Sequence, residues 1–199
     1  MTTEPKQERS RRTRQSILDA AVVSLANRGW NETTVGLVAA DAGTSRGALQ
    51  HHFPTREDLT LAALHYMFEQ RSRLLREFRT PEGVEGAEKV GAVVDQLAEL
   101  FTGITFRAAL PVWTAAAVDD DLRDRVLELE RRFGQDVHER TIEMLGADGS
   151  DPAVRRLVEV TLDLLRGLGL ANILSDDSKR RSRVIETWLP HLTEGLDLP

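Results

Sequence analysis

TVGLVAADAGTSRGALQHHF, residues 34–53, carries the densest local signals in the chain. Val35, Val38, Ala39 and Ala42 recur at helical spacing behind Thr34, whose hydroxyl can cap a helix, and Gly43 can take the left-handed conformation that ends one. Ser45 is a second capping residue, and Pro54 limits the helix that it opens because the residue before a proline is driven away from helical angles. Two short helices joined by Ala42-Gly43-Thr44-Ser45 satisfy the turn chemistry of a helix-turn-helix. At 100° per residue, Arg46, Gly47, Gln50 and His51 share one side of the second helix, and Ala48, Leu49, His52 and Phe53 share the other. Gly47 costs about 1 kcal/mol of helix propensity relative to alanine. Close approach of the backbone to a nucleic acid would compensate for it. An ordinary helical hairpin has the same spacing, but it accounts less well for the exposed polar face.

On the N-terminal side, Ile17, Leu18, Ala21, Val22 and Leu25 form the stripe of a first amphipathic helix that Gly29 can stop. On the C-terminal side, Thr55 and Asp58 form an acidic capping box opening a long helix to about Arg79. TPEGVEG (80–86) and GADGSDP (146–152) are breaks, and helical periodicity predicts further helices at about 87–102, 105–117, 121–145, 153–174 and 178–196. No run alternates with period two. The expected fold is therefore all-α.

The 199 residues are 41% hydrophobic and 29% charged, the composition of a globular protein and not of a disordered one. No window is apolar enough for a membrane span, and the polar start MTTEPKQERSRRTRQS is unlike a signal peptide, so a cytoplasmic location is expected. The absence of cysteine excludes disulfides, thiolate metal sites and thiol nucleophiles. The net charge of −6 is unevenly distributed, +3 over residues 1–56 and −9 over 57–199, as expected when one end meets phosphate. Arg9, Arg11, Arg12 and Arg14 fall within six residues, a run that fits a solvated helix start at least as well as a binding surface.

Residues 33–59, TTVGLVAADAGTSRGALQHHFPTREDL, closely resemble the N-terminal signature of the TetR family of bacterial transcriptional regulators, with the match extending over roughly residues 10–64. The resemblance implies a helix-turn-helix DNA-binding domain over 1–55, with an N-terminal arm at about 1–9, and a helical ligand-binding and dimerisation domain over 56–199. It implies a homodimer on a palindromic operator in double-stranded DNA, and repression relieved by a small, largely apolar effector. By position, Thr34 resembles the family's phosphate contact at the start of the second helix. Ser45, Arg46, Gly47, Gln50 and His51 resemble its base- and backbone-reading residues, and His52 and Arg56 its residues near phosphate. Gln50 stands where the family most often has tyrosine, and its amide can bond an adenine edge.

In the body, Val154–Leu174 is apolar almost all round after its first turns, so burial on several sides is expected. With the stripe Val184, Ile185, Trp188, Leu189 and Leu192 it resembles the two family helices that pair with a partner chain, although both could simply complete the core. Asp163 is expected to be buried and therefore to need a partner, either in the pocket or as an arginine of the partner chain. Phe101, Phe106, Arg107, Trp113, Phe133, His138 and Asn172 lie on the helices that line the family's cavity and are the candidate ligand residues. No metal or cofactor site is expected, because adjacent His51 and His52 point about 100° apart on a helix. No constellation supports enzyme activity; Asp119-Asp120-Asp121 reads as a helix cap before Leu122. The alternative function is a regulator whose body binds a protein.

Overall fold

The computed structural model describes residues 6–80 and 82–196. Among them are nine helices and no strand: α1 (Lys6–Glu32), α2 (Val35–Asp41), α3 (Arg46–His52), α4 (Arg56–Glu77), α5 (Gly86–Thr102), α6 (Ile104–Ala116), α7 (Asp120–Leu145), α8 (Pro152–Ala171) and α9 (Ser178–Leu196). They pack into two compact units. Unit 1 runs to Gln70 and includes Ile104–Leu129; unit 2 comprises Arg71–Gly103 and the chain from Glu130 onward. Packing thus groups the start of α4, α6 and the start of α7 with α1–α3, a division other than the functional one expected at residue 55. Of the arm expected over residues 1–9, residues 1–5 lie outside the described residues, and Lys6–Arg9 are the opening turns of α1. Pro81 of the first loop also lies outside them.

In unit 1 the stripe Ile17, Leu18, Ala21, Val22 and Leu25 is buried, and Gly29 interrupts α1 at φ 81° and ψ −176°. A glycine suits that break because L side chains rarely adopt this conformation. Buried Ser24 and half-buried Thr33 face each other across the break at 3.1 Å. The acidic capping box forms as read: Asp58 Oδ2 accepts from the Thr55 amide (3.1 Å) and hydroxyl (2.7 Å), and the Asp58 amide donates to Thr55 Oγ1 (3.0 Å). Asp119 Oδ1 caps α7 through the Leu122 amide at 3.0 Å, the role expected of the acidic run. Helix α6 packs on α1 with Phe106, Ala108, Ala109, Val112 and Ala116 buried. Tyr66 on α4 is buried, and its hydroxyl donates to Asp19 on α1 and accepts from Gln15 and Gln70. This ties the first half of α4 to α1.

In unit 2, α5 buries Val90, Val93, Val94, Leu97, Leu100 and Phe101 and packs against α8 and α9. The α5–α8 crossing is a backbone contact: a Cβ on Gly169 would sit 2.1 Å from the Phe101 carbonyl oxygen. Asp151 caps α8 at the Ala153 amide (2.7 Å), with Pro152 in its first turn, where a missing N–H is harmless. Trp188 on α9 donates its indole N–H to Thr161 on α8 at 2.9 Å.

Within the single chain α8 has one buried face, formed by Val154, Val158, Thr161, Leu162, Leu165, Leu168 and Gly169, and one reading of it, the burial of Asp163, is corrected. Val160 and Leu170 are more than half exposed in the single chain, and Leu174 just beyond is almost fully so. Asp163 is not buried: its side chain is 64% exposed and pairs with Arg166 at 2.6 Å. Sequence periodicity blurred the two faces of α8 because leucine occupies both.

Gly169→Ala is expected to lower the unfolding free energy by about 1–3 kcal/mol or more, because neither α5 nor α8 can shift without losing the packing around Phe101. Gly134 lies within α7 with nothing within 4 Å of its Cβ position. Gly134→Ala is expected to raise stability by about 0.5–1 kcal/mol. Urea or thermal unfolding of the two variants, monitored by circular dichroism, checks both signs.

Candidate nucleic-acid interface

The helix-turn-helix is assembled by its caps. Thr34 Oγ1 accepts from the Leu37 amide at 3.4 Å and Ser45 Oγ from the Ala48 amide at 3.1 Å, so each short helix begins on a side-chain oxygen. Gly43 turns the chain at φ 64°, where the Gly43 amide reaches the Ala40 carbonyl (3.1 Å) and the Thr44 amide the Ala39 carbonyl (3.0 Å). Such a turn satisfies the last carbonyls of α2 without a third helix turn. Arg28 on α1 pairs with Asp41 at the end of α2, and Ser16 donates to the Ala42 carbonyl at 3.2 Å. The α2–turn–α3 element is therefore fastened to α1 at the turn itself.

The two sides of α3 separate as the sequence required. Leu49 and Phe53 are buried at 0% and 3% exposure, with Ala48 and His52 intermediate, while Arg46, Gly47, Gln50 and His51 are exposed. The result is a two-turn helix with a row of polar side chains directed away from its own core. Around Gly47 a Cβ would meet only Ser45 Oγ, at 4.0 Å, so nothing within the chain requires a glycine there. Thr34 and Ser45 are exposed caps at the starts of α2 and α3. Arg56 is exposed at the start of α4 and donates to the Trp30 carbonyl at 3.0 Å. His52 is held below the usual imidazole pKa, first by burial and then by the neighbouring charges of His51 and Arg14.

The seven candidate ligand residues fall in both units. Phe106 and Trp113 meet on α6 in unit 1, edge to face at 5.8 Å between ring centroids, and Arg107 beside them is exposed. Phe101, Phe133, His138 and Asn172 belong to unit 2. There Phe101 packs at Gly169, His138 Nε2 bonds the Arg155 carbonyl at 2.9 Å, and Asn172 Oδ1 accepts from the Asp177 amide at 3.0 Å. Of these four, only His138 lines the groove of about 480 Å3 between α7 and α8, whose wall is mostly polar and includes Arg131, Arg155, Arg156 and Glu159.

A residue that sequence reasoning passed over is Arg71. It is 1% exposed, its guanidinium carbon lies 4.0 Å from the centre of the Phe133 ring, and its Nη1 reaches Glu130 at 3.3 Å. Burial pushes its pKa down, and the Glu130 charge opposes that shift. Its position was legible in principle, because Leu64, Met67, Arg71, Leu75 and Phe78 follow one helical stripe and all are buried.

No helix among the described residues is long and apolar enough to cross a membrane. Residues 17–63 match the family model described as bacterial regulatory proteins, tetR family. The HTH-type transcriptional regulator CymR of Pseudomonas putida is 29% identical over 188 residues, covering 92% of this chain and 90% of its own. A transcriptional regulator from Rhodococcus sp. Rha1 superposes with a TM-score of 0.72 at 20% identity, over 94% of this chain and 98% of its own. One from Saccharomonospora viridis, solved in complex with choline, gives 0.67 at 22%, over 93% and 96%. These structures share the fold. The family match covers α2, the turn and α3, the segment whose caps and exposed polar face were built up above, and a named regulator aligns through both units; residues 17–63 are a TetR-family helix-turn-helix domain, in a chain similar over most of its length to helix-turn-helix transcriptional regulators.

Proposed function

We propose that the chain is a homodimeric repressor that reads a palindromic operator through α3 and leaves it when a small molecule binds the body. The observation that carries this reading is Gly47: it weakens a seven-residue helix, yet its own protein leaves open space beside it. A backbone that must come close to a partner accounts for a residue that internal packing does not. Arg46, Gln50 and His51 flank it on the same exposed side. In this reading Gln50 and Arg46 meet base edges, Thr34, Ser45, His51, His52 and Arg56 meet backbone, and residues up to 55 form the DNA-binding domain.

The dimer is supported by the exposed apolar residues at the end of α8, Leu170, Ile173 and Leu174, together with Val160. A two-fold dimer would set the two α3 helices on successive major grooves, about 34 to 36 Å apart, and require an operator with matching symmetry. An effector that releases DNA must bind the DNA-free protein more tightly, by about 1 to 3 kcal/mol in ordinary allosteric systems. The choline complex of the S. viridis protein supports a small-molecule effector for this chain. Phe101 and Phe133 are buried in the core of unit 2 and do not line the groove between α7 and α8, so a largely apolar effector would have to open space beside them.

Selection of bound sequences from a random duplex pool identifies the operator. Gly47→Ala is expected to stabilise the free protein by up to about 1 kcal/mol while weakening operator binding, a combination that a purely structural glycine would not give. Gln50→Ala is expected to change the preferred base at its position, at about 1–3 kcal/mol of discrimination, whereas Arg56→Ala weakens all sequences alike. Leu170→Glu is expected to yield a folded monomer in sedimentation and to lose tight operator binding, while Leu168→Glu, at a buried position, unfolds the chain. A thermal-shift screen of small metabolites, followed by operator release with each hit, tests the effector; stabilising hits that leave operator affinity unchanged would remove the switch from this reading.

A further inference from the structure

Half of the eight cationic residues among the first 56 lie in the run Arg9 to Arg14, ahead of the matched segment. The remainder are few. Lys6 opens α1, Arg28 is engaged with Asp41, and Arg46 on α3 and Arg56 at the start of α4 are the exposed cations that remain. A site meant to hold a polyanion against a body of net charge −9 needs more positive charge than that.

The run is helical, since α1 begins at Lys6. At 100° per residue, Arg11 lies about 60° from Arg14 on the helix, whereas Arg9 and Arg12 lie about 140° and 160° away. The two faces have different surroundings. On one, Arg12 pairs with Glu8 at 3.6 Å. On the other, the Arg14 guanidinium lies 5.3 Å from the centre of the Phe53 ring, at the end of α3 and beside His52. Arg11 is exposed one turn further out. The Arg11/Arg14 face therefore adjoins the C-terminal end of α3, and no carboxylate among the described residues pairs with either arginine.

We propose that Arg11 and Arg14 form a phosphate-binding extension of the α3 surface, with the sugar-phosphate backbone of the same duplex as the partner. This rests on the DNA-reading function proposed above. The two guanidiniums meet phosphate oxygens and carry affinity without sequence information. Arg9 and Arg12 stand away from the duplex.

The test is fluorescence anisotropy of the full-length chain on an operator duplex and a random duplex, from about 50 to 200 mM KCl. One substitution removes a phosphate contact in each half of the proposed dimer and is expected to reduce the slope of log affinity against log salt by about 1.8, at about 0.9 per contact. Arg11→Ala and Arg14→Ala should each show that loss, with tenfold or greater weakening at low salt for the double variant and an unchanged ranking of sequences. Arg14→Lys should retain the slope, which separates the charge from the contact with Phe53. Arg9→Ala with Arg12→Ala should leave the slope as it was. The proposal is overturned if Arg11→Ala and Arg14→Ala keep the parent slope, or if the Arg9/Arg12 pair lowers it equally, which would make the run a diffuse charge. Equal affinity of the parent for operator and random duplex would instead overturn the proposed function, and the slopes on random duplex would still decide the role of the arginines.

Discussion

A helix of seven residues does not hold itself together in water, because nucleation fixes several backbone angles before any hydrogen bond repays them. Helix α3 exists because Leu49 and Phe53 are sunk in the core of unit 1 and because Ser45 starts it and Phe53 leaves it in an extended conformation. Those two anchors also determine its rotation. With Leu49 and Phe53 inward, Arg46, Gly47, Gln50 and His51 have no direction left but outward. The orientation of the reading face is thus a consequence of apolar burial, and its chemical content is free to vary without disturbing the fold.

The same logic explains how much could be read without coordinates. Caps and stops act over three or four residues, so Thr34, Gly43, Ser45, Thr55 with Asp58, and Asp119 announced the ends of α2, α3, α4 and α7 by local chemistry alone. The sidedness of α3 followed from one helical period. Each of the described helices was visible in this way, and their bounds moved by a few residues at most outside α1. That helix began earlier than the apolar stripe indicated, because its opening turns carry arginines and no apolar residue that a periodicity could register.

Long-range packing was less legible. Asp163 looked buried because it sits in an apolar segment, but α8 turns it outward, where Arg166 lies three residues on. Gly169 lies against the Phe101 carbonyl, which is on a helix 68 residues earlier in the chain and has no local signature. Arg71 was overlooked for the opposite reason: arginine is read as a surface residue by type, and only the stripe around it shows that it is inside. The candidate ligand residues divided between two units because aromatic residues at helical spacing mark burial in general and do not say which core buries them.

The three tryptophans fall in three different surroundings. Trp30 follows the break in α1 at Gly29 and is partly exposed, Trp113 stacks edge-on to Phe106 in α6, and Trp188 donates its indole N–H to Thr161 across α8 and α9. Two therefore belong to unit 1 and one to unit 2. The intrinsic emission of this chain is consequently a sum of spatially separate reporters. Its wavelength shift on denaturation need not be a single sigmoid even where backbone signals are, and replacing the indoles one at a time by phenylalanine would turn a bulk optical signal into an address.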